Sequence, residues 1–321
     1  MIVMDYDVIV VGGGAAGLSA AIFTSRRKLK TLVISIDIGG QTNLTNKIAN
    51  YPGFTELSGP KLMDIFRQQA KSTGTEFVFG KFKNLEKNGE GKDQKFTIHL
   101  TNGESYTGRA IILAYGKVPR TLGISGEDKF VGRGISTNAV QDGHYYKHKT
   151  VAVVGGGNSA VEATELLTEY ADKVYLVHRR QQFRAEEITV ERVKALENVE
   201  FVLDSAPVEI SGNSVVESLT VENVNTKAKR KLNVDGVFIE IGFLTDTSFV
   251  NGLVQTNAQN EIIVNDYCET STHGLFAAGD VTTIPYKQTV VSAGHGATAG
   301  LSAYTYLQKL DGKPVVKIDW T

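Results

Sequence analysis

A segment of strand, glycine loop, helix and strand occurs twice in this chain of 321 residues, and that repetition limits the fold more than any other feature. The first copy reads "DYDVIVV" over residues 5–11, then a glycine loop, "AAGLSAAIFTSRR" and "LKTLVIS". The second opens at Thr150 with "TVAVV", runs through "GGGNSAVEATELLTEY" and closes with "KVYLVHRR". Uninterrupted β-branched runs suit strands buried on both faces of a parallel sheet, and the helix formers between them supply the crossover. Ser35 lies 23 residues after Gly12 and His178 lies 23 residues after Gly155, so both units close at the same offset. The expectation is an α/β protein with two related, Rossmann-like nucleotide folds. The length agrees with two domains of about 100–200 residues each.

Each unit is followed by a meander signal. "KFTIHL" and "ESYTGRAIILA" flank a turn at Asn102-Gly103, and "SLTVENVNTKAKRKLNVDGVFIEIG" alternates in the same manner. "ILAYG" and "IEIGF" read as paired domain exits, and the loops after them, "KVPRTLGISGED" and "LTDTS", as hinges.

Composition narrows the function. The 34 Lys and Arg nearly cancel the 35 Asp and Glu, which leaves no global field for nucleic acid or a membrane surface. The apolar stretch from Val8 to Phe23 is broken by glycines and falls short of the ~20 residues that span a bilayer. "MIVMDYDVIVVGGG" has no basic n-region or cleavage site, so a soluble cytoplasmic protein is expected. Cys268 is the one cysteine, which rules out an internal disulfide and an intrachain redox dithiol. No HExxH, GxSxG or Walker loop is present, and no metal site is expected.

Three motifs carry chemistry. Gly12-x-Gly14-x-x-Gly17 stands between strand and helix, where glycines permit a tight turn and let a pyrophosphate approach the helix N-terminus. The position for a ribose-binding carboxylate holds Ser35, with Asp37 two residues on. Gly155-x-Gly157-x-x-Ala160 keeps the close packing of helix on strand, and it is followed by His178-Arg179-Arg180 and Arg184. Arginine forks at that strand end grip a 2′-phosphate, which favours NADPH over NADH. In "GLFAAGDVTTIPYKQTVVSAG", Asp280 follows a buried strand and can hold a ribityl or ribose hydroxyl. A helix starting near Gln288 to Val290 would aim its positive end at a flavin.

Taken together, "GGGAAG", "GGQTNLTNKIANYPGF", "VVGGGNSAVEA", "HRRQQFRAE" and "FAAGDV…YKQTVVSAG" resemble the low-molecular-weight thioredoxin reductases over nearly the whole chain. The resemblance implies an FAD domain in three ββα layers, residues 1–116 and 247–321, split by an inserted NADPH domain, residues 117–246. It also implies a homodimer. FAD would be held by Gly12, Gly14, Ala16, Gly17, Gly40, Gln41, Asn50, Gly116, Asp280, Gln288, Thr289 and Val290. NADPH would be held by Gly155, Gly157, Asn158, Ser159, Ala160, His178, Arg179, Arg180, Arg184 and Ile241.

The chain departs from the family in "GISTNAVQDG". The two positions of the Cys-x-x-Cys hold Asn138 and Gln141, and Asp142 alone remains. Amides have no accessible redox couple, so the usual internal relay is absent. Tyr115, where relatives commonly have Thr beside the flavin, is a second departure; it and Asp142 are the candidates for a catalytic role. Cys268 and His295 read chiefly as packing residues. The expected activity is transfer of a hydride from NADPH to FAD and of electrons onward to an external acceptor, a ferredoxin- or flavodoxin-like protein, a quinone or oxygen. Two alternatives stand beside it: disulfide reduction through intermolecular thiols, and a nucleotide or redox sensor of low turnover.

Overall fold

The computed structural model describes residues 4–44, 48–250 and 252–314, with the backbone alone for Met4, Leu44 and Gln141. The chain forms two compact units, Met1–Val118 with Leu244–Thr321 and Pro119–Phe243.

The first unit begins with β1 (Met4–Val11), α1 (Ala15–Ser25), β2 (Thr31–Ser35), α2 (Gly59–Ser72), β3 (Glu76–Phe79), β4 (Phe82–Asn88), β5 (Lys95–Leu100) and β6 (Ser105–Leu113). β1 pairs in parallel with β2 and β6, placing Val10 beside Val33 and Ile112. The start of β6 pairs antiparallel with β5, which pairs antiparallel with β4, so the Asn102-Gly103 turn closes a meander as the sequence requires. A two-residue strand, β7 (Val118–Pro119), carries the chain onward.

The second unit contains α3 (Glu127–Phe130), β8 (Ile135–Ser136), α4 (Ala139–Asp142), β9 (Thr150–Gly155), α5 (Asn158–Leu167), β10 (Lys173–Val177), α6 (Glu187–Lys194), β11 (Val199–Val202), β12 (Ser205–Ser211), β13 (Ser218–Asn223), β14 (Lys229–Asn233) and β15 (Gly236–Glu240). Its parallel sheet has the order β11-β10-β9-β15-β8. The chain leaves β9 through α5 toward β10 on one side, while β15 lies on the other, so the crevice between β9 and β15 is a topological switch point. Phe238 packs with Ala160 and Leu167 on the helix side of this sheet, whereas Val237 and Ile239 pack with the β12–β14 meander on the other side.

After β16 (Phe243–Leu244), the chain supplies β17 (Leu275–Ala277) and α7 (Thr289–Leu310) to the first unit. β17 extends the sheet in parallel beside the end of β6. Val8, Val10, Val33 and Ile112 face α1 and α7, while Ile9, Val11, Ile34 and Ile111 face the β4–β5 meander, giving three layers.

Helix α7 lies backbone to backbone on α1. A Cβ on Gly296 would stand 2.0 Å from the Ala16 carbonyl oxygen, and one on Gly300 would stand 2.8 Å from that of Ala20. Gly294, on the same helix, has nothing within 4 Å of its Cβ position. Gly296→Ala should therefore destabilise by about 1–3 kcal/mol through overpacking, and Gly294→Ala should stabilise by about 0.5–1 kcal/mol through helix propensity. Denaturant midpoints that move in the same direction would contradict this packing.

Candidate functional sites

Each unit holds a candidate site at the C-terminal end of its parallel strands. In the first, Gly12 turns at φ +113°, and a Cβ there would meet the Ala114 carbonyl oxygen at 2.4 Å. A Cβ on Gly17 would lie 1.9 Å from the Gly12 oxygen, so α1 reaches the end of β1 only with glycine at that position. Gly14 differs. The nearest atom to its Cβ position is the Gly39 oxygen at 3.9 Å, and as N-cap of α1 it leaves the first-turn amides without a side-chain cap. An open glycine before an uncapped helix suits a pyrophosphate, and Gly40, at φ +51°, borders the same space beside the Gly14 Cα. The buried Ser35 hydroxyl accepts the Gly13 N–H at 2.9 Å, so it braces the loop where relatives of this fold place a ribose carboxylate. The Asp37 carboxylate accepts the Gly40 N–H at 3.2 Å.

The rest of this site assembles around the N-terminus of α7. Gln41 Nε2 donates to the Lys117 carbonyl at 3.1 Å, Asn50 Nδ2 donates to Gln288 Oε1 at 3.2 Å, and the Thr42 and Thr289 hydroxyls are 3.4 Å apart. Gln288 is the N-cap of α7, and its side chain makes no capping bond. The Ser292 hydroxyl donates to the Asp280 carboxylate at 3.0 Å. Ala16 is buried under this helix, Val290 is half-buried in its first turn, and Gly116 keeps a left-handed φ of +66° with open space beside it.

His295, Tyr115 and Cys268 are tied into the protein. His295 Nδ1 accepts the Gly279 N–H at 3.1 Å, and burial, with Lys287 nearby, lowers its basicity, so a neutral ring holds the turn that carries Asp280. The rings of Tyr115 and Phe249 meet edge to face at 4.7 Å, and the Tyr115 hydroxyl is buried with no hydrogen-bond partner among the described residues. Burial, and then Asp246, raise that hydroxyl's pKa. Cys268 is fully buried, its Sγ donates to the His295 carbonyl at 3.4 Å, and burial pushes the thiol up to about 12. A nucleophilic or metal-binding thiol needs the opposite environment.

In the second unit a Cβ on Gly155 would lie 2.3 Å from the Glu240 oxygen and 2.6 Å from the Ala160 Cβ, which fixes strand, loop and helix together. Gly157 has nothing within 4 Å of its Cβ position and caps α5 without a side-chain bond. Ser159 is exposed in the first turn. Asn158 Oδ1 accepts the Glu186 N–H at 2.8 Å, which ties the loop after the arginines to α5. Arg184 N–H donates to the Gly156 carbonyl at 2.8 Å. Arg179, Arg180 and Arg184 are all exposed, and none has a carboxylate partner among the described residues. Three unpaired guanidinium groups beside an uncapped helix suit a phosphate.

His178 turns away from this cluster. Its ring fills the space a Cβ on Gly156 would need, stacks on Phe183 at 5.1 Å and places Nε2 3.2 Å from the Gln182 carbonyl. Burial, reinforced by the arginines against the pull of that carbonyl, lowers its pKa, so it supports the loop as a neutral ring. Ile241 is half-buried against the meander side of the core. Asp142 accepts the Ser136 hydroxyl at 2.7 Å, and that hydroxyl accepts the Asn138 N–H at 2.9 Å. The side chain of Gln141 lies outside the described residues.

Glu240 was not among the expected site residues. It ends β15 beside Gly155 at the switch point, and by strand alternation it shares the helix-facing side with Phe238. It has no hydrogen-bonding or charged partner among the described residues, and burial raises its carboxyl from 4.5 to about 7. A carboxyl pKa raised on folding means that the folded state binds the extra proton. The stability is therefore full below pH 4.5 and is lost as pH rises through 7. The loss at pH 8 is about 3 kcal/mol at most. Glu240→Gln should raise the thermal midpoint at pH 8 and leave it nearly unchanged at pH 5. The same pH dependence in both proteins would show that Glu240 is solvated.

The model of the pyridine nucleotide-disulphide oxidoreductase family matches residues 6–316. Thioredoxin reductase of Rickettsia conorii is 40% identical over 308 residues, covering 94% of this chain and 98% of that protein. The crystal structure of thioredoxin reductase from Lactococcus lactis superposes with a TM-score of 0.81 at 34% identity, covering 95% of this chain and 99% of that one. A ferredoxin-flavin thioredoxin reductase from Clostridium acetobutylicum gives a TM-score of 0.52 at 32% identity, covering 96% and 99%. The family uses FAD and NADPH, and the glycine loops, uncapped helix ends and unpaired arginines described above fit both. This chain belongs to the pyridine nucleotide-disulphide oxidoreductase family and is a thioredoxin reductase-like oxidoreductase.

Proposed function

We propose that this protein is an NADPH-dependent FAD oxidoreductase without a dithiol relay, passing electrons from the flavin to an external acceptor that is not a thiol. The observation that carries the reading is the single cysteine of the chain, Cys268, buried with its sulfur on the His295 carbonyl. Asn138 and Gln141 occupy the positions where the resemblance expects the dithiol, and the nearby Asp142 is held by Ser136 as a hydrogen-bond acceptor. Both dinucleotide loops, by contrast, keep their open glycines.

On this reading the unit Met1–Val118 with Leu244–Thr321 binds FAD, and the unit Pro119–Phe243 binds NADPH. FAD held in the first unit would supply two-electron transfer between the nicotinamide and the acceptor. Gly12, Gly14 and Gly17 shape the pyrophosphate cradle, and Gly40 lines it. Gln41, Asn50, Asp280, Gln288 and Thr289 orient the ribityl chain and ring, with the N-terminus of α7 supplying positive potential. Gly155, Gly157 and Ser159 receive the NADPH pyrophosphate, and Arg179, Arg180 and Arg184 read its 2′-phosphate. His178 and Asn158 act on these groups from behind by fixing the loop.

The acceptor is a one-electron redox protein of the ferredoxin or flavodoxin kind, a quinone or oxygen. A structural relative from Clostridium acetobutylicum is named a ferredoxin-flavin thioredoxin reductase, which supports a redox protein as a partner of this fold without distinguishing donor from acceptor. The same reading takes the enzyme as a cytoplasmic homodimer; no helix among the described residues is long and apolar enough to cross a membrane.

The test compares anaerobic NADPH oxidation with ferricyanide or a quinone against oxidation with thioredoxin, in the wild type and in Cys268→Ser. Turnover with the first two acceptors in both proteins, and none with thioredoxin, is expected. Thioredoxin reduction that disappears in Cys268→Ser would overturn the proposal in favour of intermolecular thiol chemistry.

A further inference from the structure

One charged cluster in the first unit has no place in the function derived above. Glu261 Oε1 accepts from Lys117 Nζ at 2.9 Å and from Lys287 Nζ at 3.1 Å, while its Oε2 accepts from Asn257 Nδ2 at 2.8 Å. The side chains are 16% exposed for Glu261, 21% for Lys117 and 27% for Lys287. Burial pushes the Glu261 carboxyl up, but the bonds from Lys117, Asn257 and Lys287 outweigh it and hold the group down at about 2. The carboxylate therefore stays ionised throughout the working range of pH, and two ammonium groups share it.

Both ends of the cluster reach the residues assigned to the flavin. Gln41 donates to the Lys117 carbonyl. Lys287 Nζ also donates to the carbonyls of Thr282 at 2.6 Å and Asp280 at 3.3 Å, and the next residue, Gln288, caps α7. Each lysine ties its own segment to Glu261, but the one carboxylate can balance only one of them. The second leaves a surplus positive charge largely withdrawn from water, which is unfavourable without a negative group to meet it. A cofactor that becomes more negative on reduction provides that group, and charge near its ring tunes its electronics.

We propose that Lys117, Glu261 and Lys287 form a charge-balancing triad that tunes the bound flavin. The surplus cation favours the reduced cofactor, and Glu261 limits how strongly. The three side chains act at a distance, through charge and by positioning Gln41, Asp280 and Gln288. The inference rests on the reading that this unit binds FAD, and reconstitution of the wild type with FAD tests that reading separately.

The experiment measures the midpoint potential of bound FAD in the wild type, Glu261→Gln, Lys287→Gln and the double variant. Removing the anion should raise the potential and removing a cation should lower it. Each shift should correspond to roughly a tenfold change in the equilibrium, about 30 mV for a two-electron couple. The double variant has the net charge of the wild type and should return to its potential. Lys117→Gln replaces Lys287→Gln, alone and in the double variant, if the latter fails to fold. A merely structural cluster would move the single variants in one direction or not at all, and either result overturns the proposal. A wild type that takes up no FAD would instead refute the cofactor reading.

Discussion

The contact between the Gly12 carbonyl and the backbone of α1 at Gly17 is the constraint on which the first unit depends. With a side chain at residue 17 the helix would have to withdraw from the end of β1, because the added carbon would fall 1.9 Å from that oxygen. The close approach sets the uncapped N-terminus of α1 beside Gly14 and presents the other side of the helix to α7. The same economy repeats at Gly296 and Gly300, so α7 is located by α1 and carries Gln288 and Thr289 to the remainder of the site. The second unit uses a shorter version, in which Gly155 is wedged between the Glu240 carbonyl and Ala160.

Electrostatics divides the two sites. In the second unit, three exposed guanidinium groups stand without acidic partners among the described residues while the one histidine among them is neutral and buried, so the positive field comes from arginine alone. In the first, the polar side chains are already bonded to one another, as with Asn50 on Gln288 and Ser292 on Asp280. Such a site offers a bound molecule a set of preoriented groups, whose net charge is adjusted from outside by the Lys117–Glu261–Lys287 cluster.

Much of this was legible in the sequence because the informative residues report local geometry. A glycine needed for a turn or a close approach, an arginine at a strand end and a helix start near Gln288 are each specified within a few neighbours. The first meander was legible from alternation and from Asn102-Gly103; of the second, only β13 and β14 were, since β12 opens it and the "GVFIE" run read as its end joins the parallel sheet beside β9. What escaped depends on contacts between distant segments. His178 stands beside Arg179, yet its ring occupies the gap left by Gly156, which strand periodicity cannot reveal where both faces of a strand are buried. Asn158 sits in a nucleotide loop but bonds the Glu186 amide. Glu261 meets lysines 144 and 26 residues away. Glu240 alone left a signal that could have been read, a carboxylate inside the apolar run "GVFIEIG".

A chain with one buried cysteine should have no electron store besides the flavin, and the electron capacity of the protein tests that most directly. Anaerobic titration of the FAD-bound protein with dithionite, followed through the flavin absorbance, counts the electrons taken up per flavin. A chain whose sole cysteine is buried at Cys268 should accept about two, all of them on the flavin. Uptake of about four per flavin would reveal a second two-electron centre and contradict the account.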